Sequence, residues 1–126
     1  MAENKSENVA VLGASDRPDR FAYRADKLLR SHGHQTFLVN PNLTTIEGRE
    51  VRPNLPALQG TKIDTLTLYV NPKILAQQIG DVIALKPKRV IFNPGTESQE
   101  LEAKLEAAGI EPVHGCTLVM LNTGTY

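Results

Sequence analysis

The feature that most constrains the fold is an apolar run, Asn8–Leu12, that stops at Gly13 and leads through Ala14 and Ser15 into a helical pattern. A strand that turns tightly at a glycine and enters a helix directs backbone N–H groups and the helix N-terminus at one point. Such a point favours an anion, most often a phosphate. The stretch therefore predicts the first strand, phosphate-binding turn and helix of an α/β domain.

Further apolar runs alternate with helical patterns along the rest of the chain. Runs typical of buried parallel strands lie at 36–39, 63–70, 89–92 and 110–113, and 48–51 fits a short edge strand. Helical spacing begins near Phe21, after Asn71-Pro72 and after a capping box formed by Thr96 and Gln99, whereas Cys116–Leu121 fits strand or helix. The alternation predicts an α/β, Rossmann-like, doubly wound and mainly parallel sheet of five or slightly more strands, with helices on both faces.

Length and composition set further bounds. The 126 residues suit one domain, expected over 8–126 after a flexible tail at 1–7. Basic and acidic residues number 14 each, so we expect neither a nucleic-acid nor a membrane partner. A single cysteine, Cys116, and a polar N-terminal stretch predict a cytoplasmic protein without internal disulfides. Three histidines and one cysteine match no zinc spacing, so no metal is expected.

Polar or small residues follow four of the predicted strands. Because the carboxyl ends of parallel strands share one edge of the sheet, these segments converge where ligands of open α/β sheets bind. The convergent segments are Gly13-Ala14-Ser15, Asn40-Pro41-Asn42, Val70-Asn71-Pro72 and Asn93-Pro94-Gly95-Thr96. The alternative is that each Asn-Pro pair simply ends a strand and starts a turn or helix.

The phosphate-binding turn lacks the signature of an NAD site. No glycine occurs between Gly13 and Gly33, so the G-x-G-x-x-G pattern is absent. The end of the second strand carries Asn40 where an NAD-binding protein usually has Asp or Glu. Arginines at 17, 20 and 24 follow the turn and either face phosphates or form a solvated first helical turn. The pattern favours a phosphate-rich nucleotide other than NAD.

Several of these segments together resemble a family of small bacterial CoA-binding proteins. These proteins are stand-alone Rossmann domains similar to the CoA-binding domain of the succinyl-CoA synthetase α subunit. The resemblance rests on Gly13-Ala14-Ser15, Arg20, Tyr23, Val39-Asn40-Pro41, 46–51, 93–97 and 115–121.

The resemblance implies a role for each convergent segment in binding coenzyme A. Gly13, Ala14 and Ser15 would hold the diphosphate, and Asn40 and Pro41 would lie against the adenosine. The adenine side of the cleft would be formed by Val70, Asn71 and Pro72, and the route to the pantetheine arm by Asn93, Pro94 and Gly95. The family often has lysine where this chain has Asn42, which removes one charged contact to the 3′-phosphate unless Arg20, Arg24 or Arg49 replaces it.

No convincing catalytic set emerges from the sequence. His114 and Cys116 could share a face, but a packed free cysteine beside a surface histidine is the better interpretation. We therefore expect a non-catalytic module that binds CoA or acyl-CoA, with a homodimer or a protein partner left open. The alternatives are a small nucleotide-dependent enzyme or enzyme subunit, either NAD(P)-binding or acyl-transferring with Cys116 as its thiol, and a domain that lost its ligand and serves in assembly.

Overall fold

A central sheet of seven strands carries helices on both faces in the computed structural model, which describes residues 6–126. The strands are β1 (Asn8–Leu12), β2 (Gln35–Val39), β3 (Thr45–Ile46), β4 (Arg49–Arg52), β5 (Thr65–Leu68), β6 (Arg89–Phe92) and β7 (Glu111–His114). The helices are α1 (Phe21–Ser31), α2 (Pro72–Leu85), α3 (Gln99–Ala107) and α4 (Thr117–Thr123), with a 3₁₀ turn at Leu55–Leu58.

The strand order confirms the doubly wound topology. The sheet runs β3-β4-β2-β1-β5-β6-β7, and every neighbouring pair is parallel except the hairpin of β3 and β4 at one edge. The chain proceeds from β1 outward through β2 and β4, then returns to the other side of β1 and continues through β5, β6 and β7. This reversal opens a crevice above the carboxyl ends of β1 and β5.

Successive side chains of the parallel strands point to opposite faces of the sheet and pack into two separate apolar layers. In β1, Val9 and Val11 belong to the layer under α1 and α4, while Ala10 and Leu12 belong to the layer under α2 and α3. All four side chains are essentially inaccessible to solvent. Because both faces are covered, the strand reads as a continuous apolar run rather than as an alternating one.

Two local expectations differ from the structure, and one open alternative is resolved. Phe21, expected on the apolar face of α1, is 62% exposed. The cap of α3 is Ser98, whose hydroxyl accepts the Leu101 N–H, and not Thr96, which is buried and donates to the Asn93 carbonyl. The run at 116–121, which fitted strand or helix, forms the start of helix α4 with Cys116 as its N-cap. In this helix Leu121 packs into the apolar layer beside α1.

The flexible tail predicted at 1–7 lies mostly outside the described residues. Ser6 donates to the Gly33 carbonyl at 2.8 Å, and the Glu7 N–H donates to His34 Nδ1 at 3.1 Å. The Glu7 carboxylate also accepts the Thr65 hydroxyl at 2.9 Å. Ser6 and Glu7 are thus attached to the amino-terminal edge of the sheet. Within residues 6–126, no helix has the length and apolar character needed to cross a membrane.

Candidate functional site

The crevice above β1 and β5 is a cavity of about 690 Å³, a size typical of small-molecule sites. The loops after β1, β2, β5 and β6 form its walls, as expected for the carboxyl edge of an open α/β sheet. Most of the predicted site residues line it, namely Gly13, Ala14, Ser15, Arg20, Asn40, Val70, Asn71, Pro94 and Gly95.

Four predicted site residues do not line the cavity. Tyr23 is buried on α1 and donates its hydroxyl to the Glu47 carboxylate, which lowers the pKa of that carboxyl. Pro41 is an exposed turn residue, and Pro72 is the first residue of α2. Asn93 is 2% exposed and makes its hydrogen bonds inside the protein.

The glycine turn contributes less to anion binding than the sequence suggests. The N–H groups of Gly13 and Ala14 both donate to the Val39 carbonyl, at 3.0 and 3.1 Å. They are therefore committed to joining the loop after β1 to β2, which revises their expected role as backbone donors to a diphosphate. A side chain at Gly13 would place Cβ 2.6 Å from the Tyr69 carbonyl oxygen, so a glycine is required here for packing against β5.

The remaining donors gather at the start of α1. No side chain caps this helix, its first turn carries no acidic residue, and its Phe21 and Ala22 N–H groups have no hydrogen-bond acceptor among the described residues. Phe21 and Ala22 both line the cavity, together with the exposed arginines Arg17 and Arg20. A free helix N-terminus flanked by two guanidinium groups matches the charge and hydrogen-bonding needs of a phosphate.

The three asparagines that precede prolines make hydrogen bonds at the ends of strands and the start of a helix. Asn40 donates to the Ala14 carbonyl at 2.7 Å and accepts the Asn42 N–H at the same distance. Asn71 caps α2 by accepting the Ile74 N–H at 2.9 Å. Asn93 contacts Thr67, Leu68 and Thr117. Each therefore has the strand-ending or helix-starting role of the simpler interpretation, and Asn40 and Asn71 also face the cavity.

The cavity includes residues that sequence reasoning did not select, among them Asp16, Phe21, Leu43 and Tyr69. Asp16 is the single carboxylate among the described lining residues. The Tyr69 hydroxyl is buried without a hydrogen-bond partner in the described part of the chain, and burial raises the pKa of Tyr69 to about 12. The sequence pattern put Tyr69 inside the predicted strand 63–70, and only the shorter β5 of the structure makes it a strand-end residue that lines the cavity.

The suggested Cys116–His114 pair does not form. His114 Nε2 lies 2.6 Å from Glu102 Oε1, so the imidazole is paired with α3. Cys116 precedes α4 as a partly buried free thiol, and neither residue lines the cavity. Across 6–126, no group of three or more His, Cys, Asp or Glu side chains is arranged to hold a metal ion.

Comparisons with known proteins identify relatives. The family described as "CoA binding domain" matches residues 7–122. A solved structure of an uncharacterized protein is 45% identical, covers 98% of this chain and 100% of its own, and superposes with a TM-score of 0.90. A solved structure of a Thermus thermophilus protein is 29% identical and superposes with a TM-score of 0.87. The match covers 96% of this chain and 91% of the Thermus chain.

A curated relative, the uncharacterized protein YneT of Bacillus subtilis, is 31% identical over 65 residues. The aligned segment is 52% of this chain and 47% of YneT, so the match spans about half of that relative.

Proposed function

The chain belongs to the CoA binding domain family, and from this we propose that it binds coenzyme A or an acyl-CoA in the cleft at the carboxyl edge of the sheet, without catalysing a reaction. The observation that carries the proposal is the uncapped start of α1 beside Arg17 and Arg20, all facing one cavity. This donor set fits the diphosphate of CoA, since helix N-terminal N–H groups and guanidinium groups are strong partners for phosphate oxygens.

The proposed diphosphate position differs from a simple glycine-turn cradle. Because Gly13 and Ala14 donate to Val39, the phosphates would be held by the Ser15 hydroxyl, the start of α1 and the two arginines. Ser15 Oγ accepts the Arg17 N–H at 3.1 Å, which leaves its own O–H to donate. The turn's contribution is then to position these groups.

The absence of catalysis is proposed from what the described cavity wall contains. Nucleophilic catalysis needs a nucleophile and a base within hydrogen-bond reach. The hydroxyl groups of the wall residues Ser15 and Thr96 have no histidine beside them there, and the Tyr69 hydroxyl is buried. Cys116 and His114 lie outside the wall. These observations favour a binding module over an acyl-transfer enzyme.

Titration calorimetry with CoA, acetyl-CoA, NAD, NADP and ATP tests the proposal. We expect CoA or acetyl-CoA to bind, and binding of NAD without CoA would overturn it. In the double variant Arg17→Ala/Arg20→Ala, loss of two charged contacts should weaken CoA binding by about a hundredfold or more. The matched control, Lys62→Ala/Lys104→Ala, removes the same charge from exposed positions outside the cavity and should bind CoA like the wild type.

A further inference from the structure

The part of the cavity next to β2 carries no charge. In a doubly wound fold the ribose of a bound nucleotide lies at the end of the second strand, where an acid selects a free hydroxyl and an arginine accommodates a ribose phosphate. Here the loop after β2 contributes Asn40, Asn42 and Leu43 to the wall. None of these side chains repels or attracts a ribose phosphate through charge.

The cations on the neighbouring strand β4 are committed elsewhere. Arg49 Nη1 lies 2.8 Å from an oxygen of the buried Asp26, and its Nη2 donates to the Thr36 carbonyl at 3.1 Å. Arg52 Nη2 lies 3.4 Å from Glu50, and neither arginine lines the cavity. Moving Arg49 to a ligand would leave Asp26 without its closest cation in a buried position, which is costly.

The cations near the glycine turn belong to the segment that leads into α1 and to α1 itself. Arg24 donates to the Asp19 carbonyl at 3.1 Å and covers the Phe21 ring at 5.2 Å, outside the wall of the cavity. Within residues 6–126, Arg17 and Arg20 are therefore the cations of the wall, and both belong to the segment that leads into α1. The charged side chains of the described wall, Asp16, Arg17 and Arg20, thus all lie between β1 and α1, and the loop after β2 contributes none.

We propose that this cleft recognises the adenosine diphosphate part of its ligand and does not discriminate for or against a phosphate on the ribose. The ligand class is then wider than CoA and includes 3′-dephospho-CoA with comparable affinity. This inference rests on the proposed function, because it assumes that the nucleotide occupies the cavity with its diphosphate at α1.

The test is calorimetry with CoA and 3′-dephospho-CoA under identical, low-salt conditions, where charge effects are least screened. One charged contact to the 3′-phosphate would separate the two ligands by about tenfold or more. Dissociation constants within about fivefold therefore support the inference. A larger preference for CoA overturns it while leaving the proposed function intact, and failure of both ligands to bind overturns both.

A gain-of-contact variant tests the placement of the ribose. Asn42 is exposed and its backbone N–H, not its side chain, completes the turn with Asn40, so Asn42→Lys should fold normally. We expect this variant to bind CoA about tenfold more tightly with 3′-dephospho-CoA unchanged, since only CoA has the extra phosphate. The control Gln77→Lys adds the same charge on the exposed surface of α2. Equal tightening of both ligands, or no change in either, would overturn the placement.

Discussion

The side-chain amide of Asn40 donates a 2.7 Å hydrogen bond to the carbonyl oxygen of Ala14. This bond joins the loop after β2 to the loop after β1, and both loops line the cavity. The side-chain oxygen of Asn40, Oδ1, simultaneously accepts the Asn42 N–H. Asn40 therefore acts first as a positioning residue for the cleft, because both ends of its amide already have partners.

Replacement of Asn40 by alanine should loosen the cleft. The variant loses two side-chain hydrogen bonds and should lower the free energy of unfolding by about 1–2 kcal/mol, with weaker CoA binding. Urea denaturation and calorimetry measure the two effects. Asn42→Ala is the control, since the Asn42 side chain makes no hydrogen bond with described residues. Equal stability of the two variants would contradict this role of Asn40.

Gly13→Ala should destabilise the fold as well as the site. The new Cβ would lie 2.6 Å from the Tyr69 carbonyl oxygen, and the residue has φ of +92°. Strain and overpacking together should cost about 3 kcal/mol or more. The contact that makes a side chain unfavourable at this position is with the backbone after β5.

Gly33→Ala is the matched control for Gly13. Its φ of +89° is nearly the same, but an added Cβ meets nothing within 4 Å. The cost should therefore be the conformational one alone, about 1–2 kcal/mol. Chemical denaturation of both variants gives the comparison, and equal losses of stability would show that contact with Tyr69 is not decisive.

The sequence predicted the layers of this fold better than the contacts of its site. The apolar pattern located β1, β6 and α2, because a strand covered on both faces is a continuous apolar run and a helix packed on one face has apolar residues at helical spacing. The partners of Asn93 could not be predicted in this way, because Thr117 lies 24 residues away and meets it only once β5, β6 and α4 have assembled. The same applies to the Gly13 N–H, whose acceptor Val39 belongs to the next strand.

The buried Asn93 should matter more for stability than the exposed Asn71, although both precede a proline. Asn93→Ala removes four hydrogen bonds and leaves Thr67 and Thr117 with lost partners in the core, which should cost about 3 kcal/mol or more. Asn71→Ala removes one helix cap and should cost about 1 kcal/mol. Asn71→Ser should restore most of that loss. Similar losses for the two alanine variants would contradict this difference.

Stability should also decrease in mildly acidic solution through His34. Its Nδ1 accepts the Glu7 N–H, which requires an unprotonated nitrogen, and burial lowers the pKa of the imidazole below its usual value of 6.5. As the pH falls below 6.5, the unfolded chain takes up a proton that the folded protein resists, so the free energy of unfolding declines; above 6.5 the contribution is fully present. Urea denaturation between pH 7 and pH 5 should show a shallower decline for His34→Asn, whose side-chain oxygen still accepts the Glu7 N–H but does not titrate. Parallel curves for the variant and the wild type would remove His34 from this role.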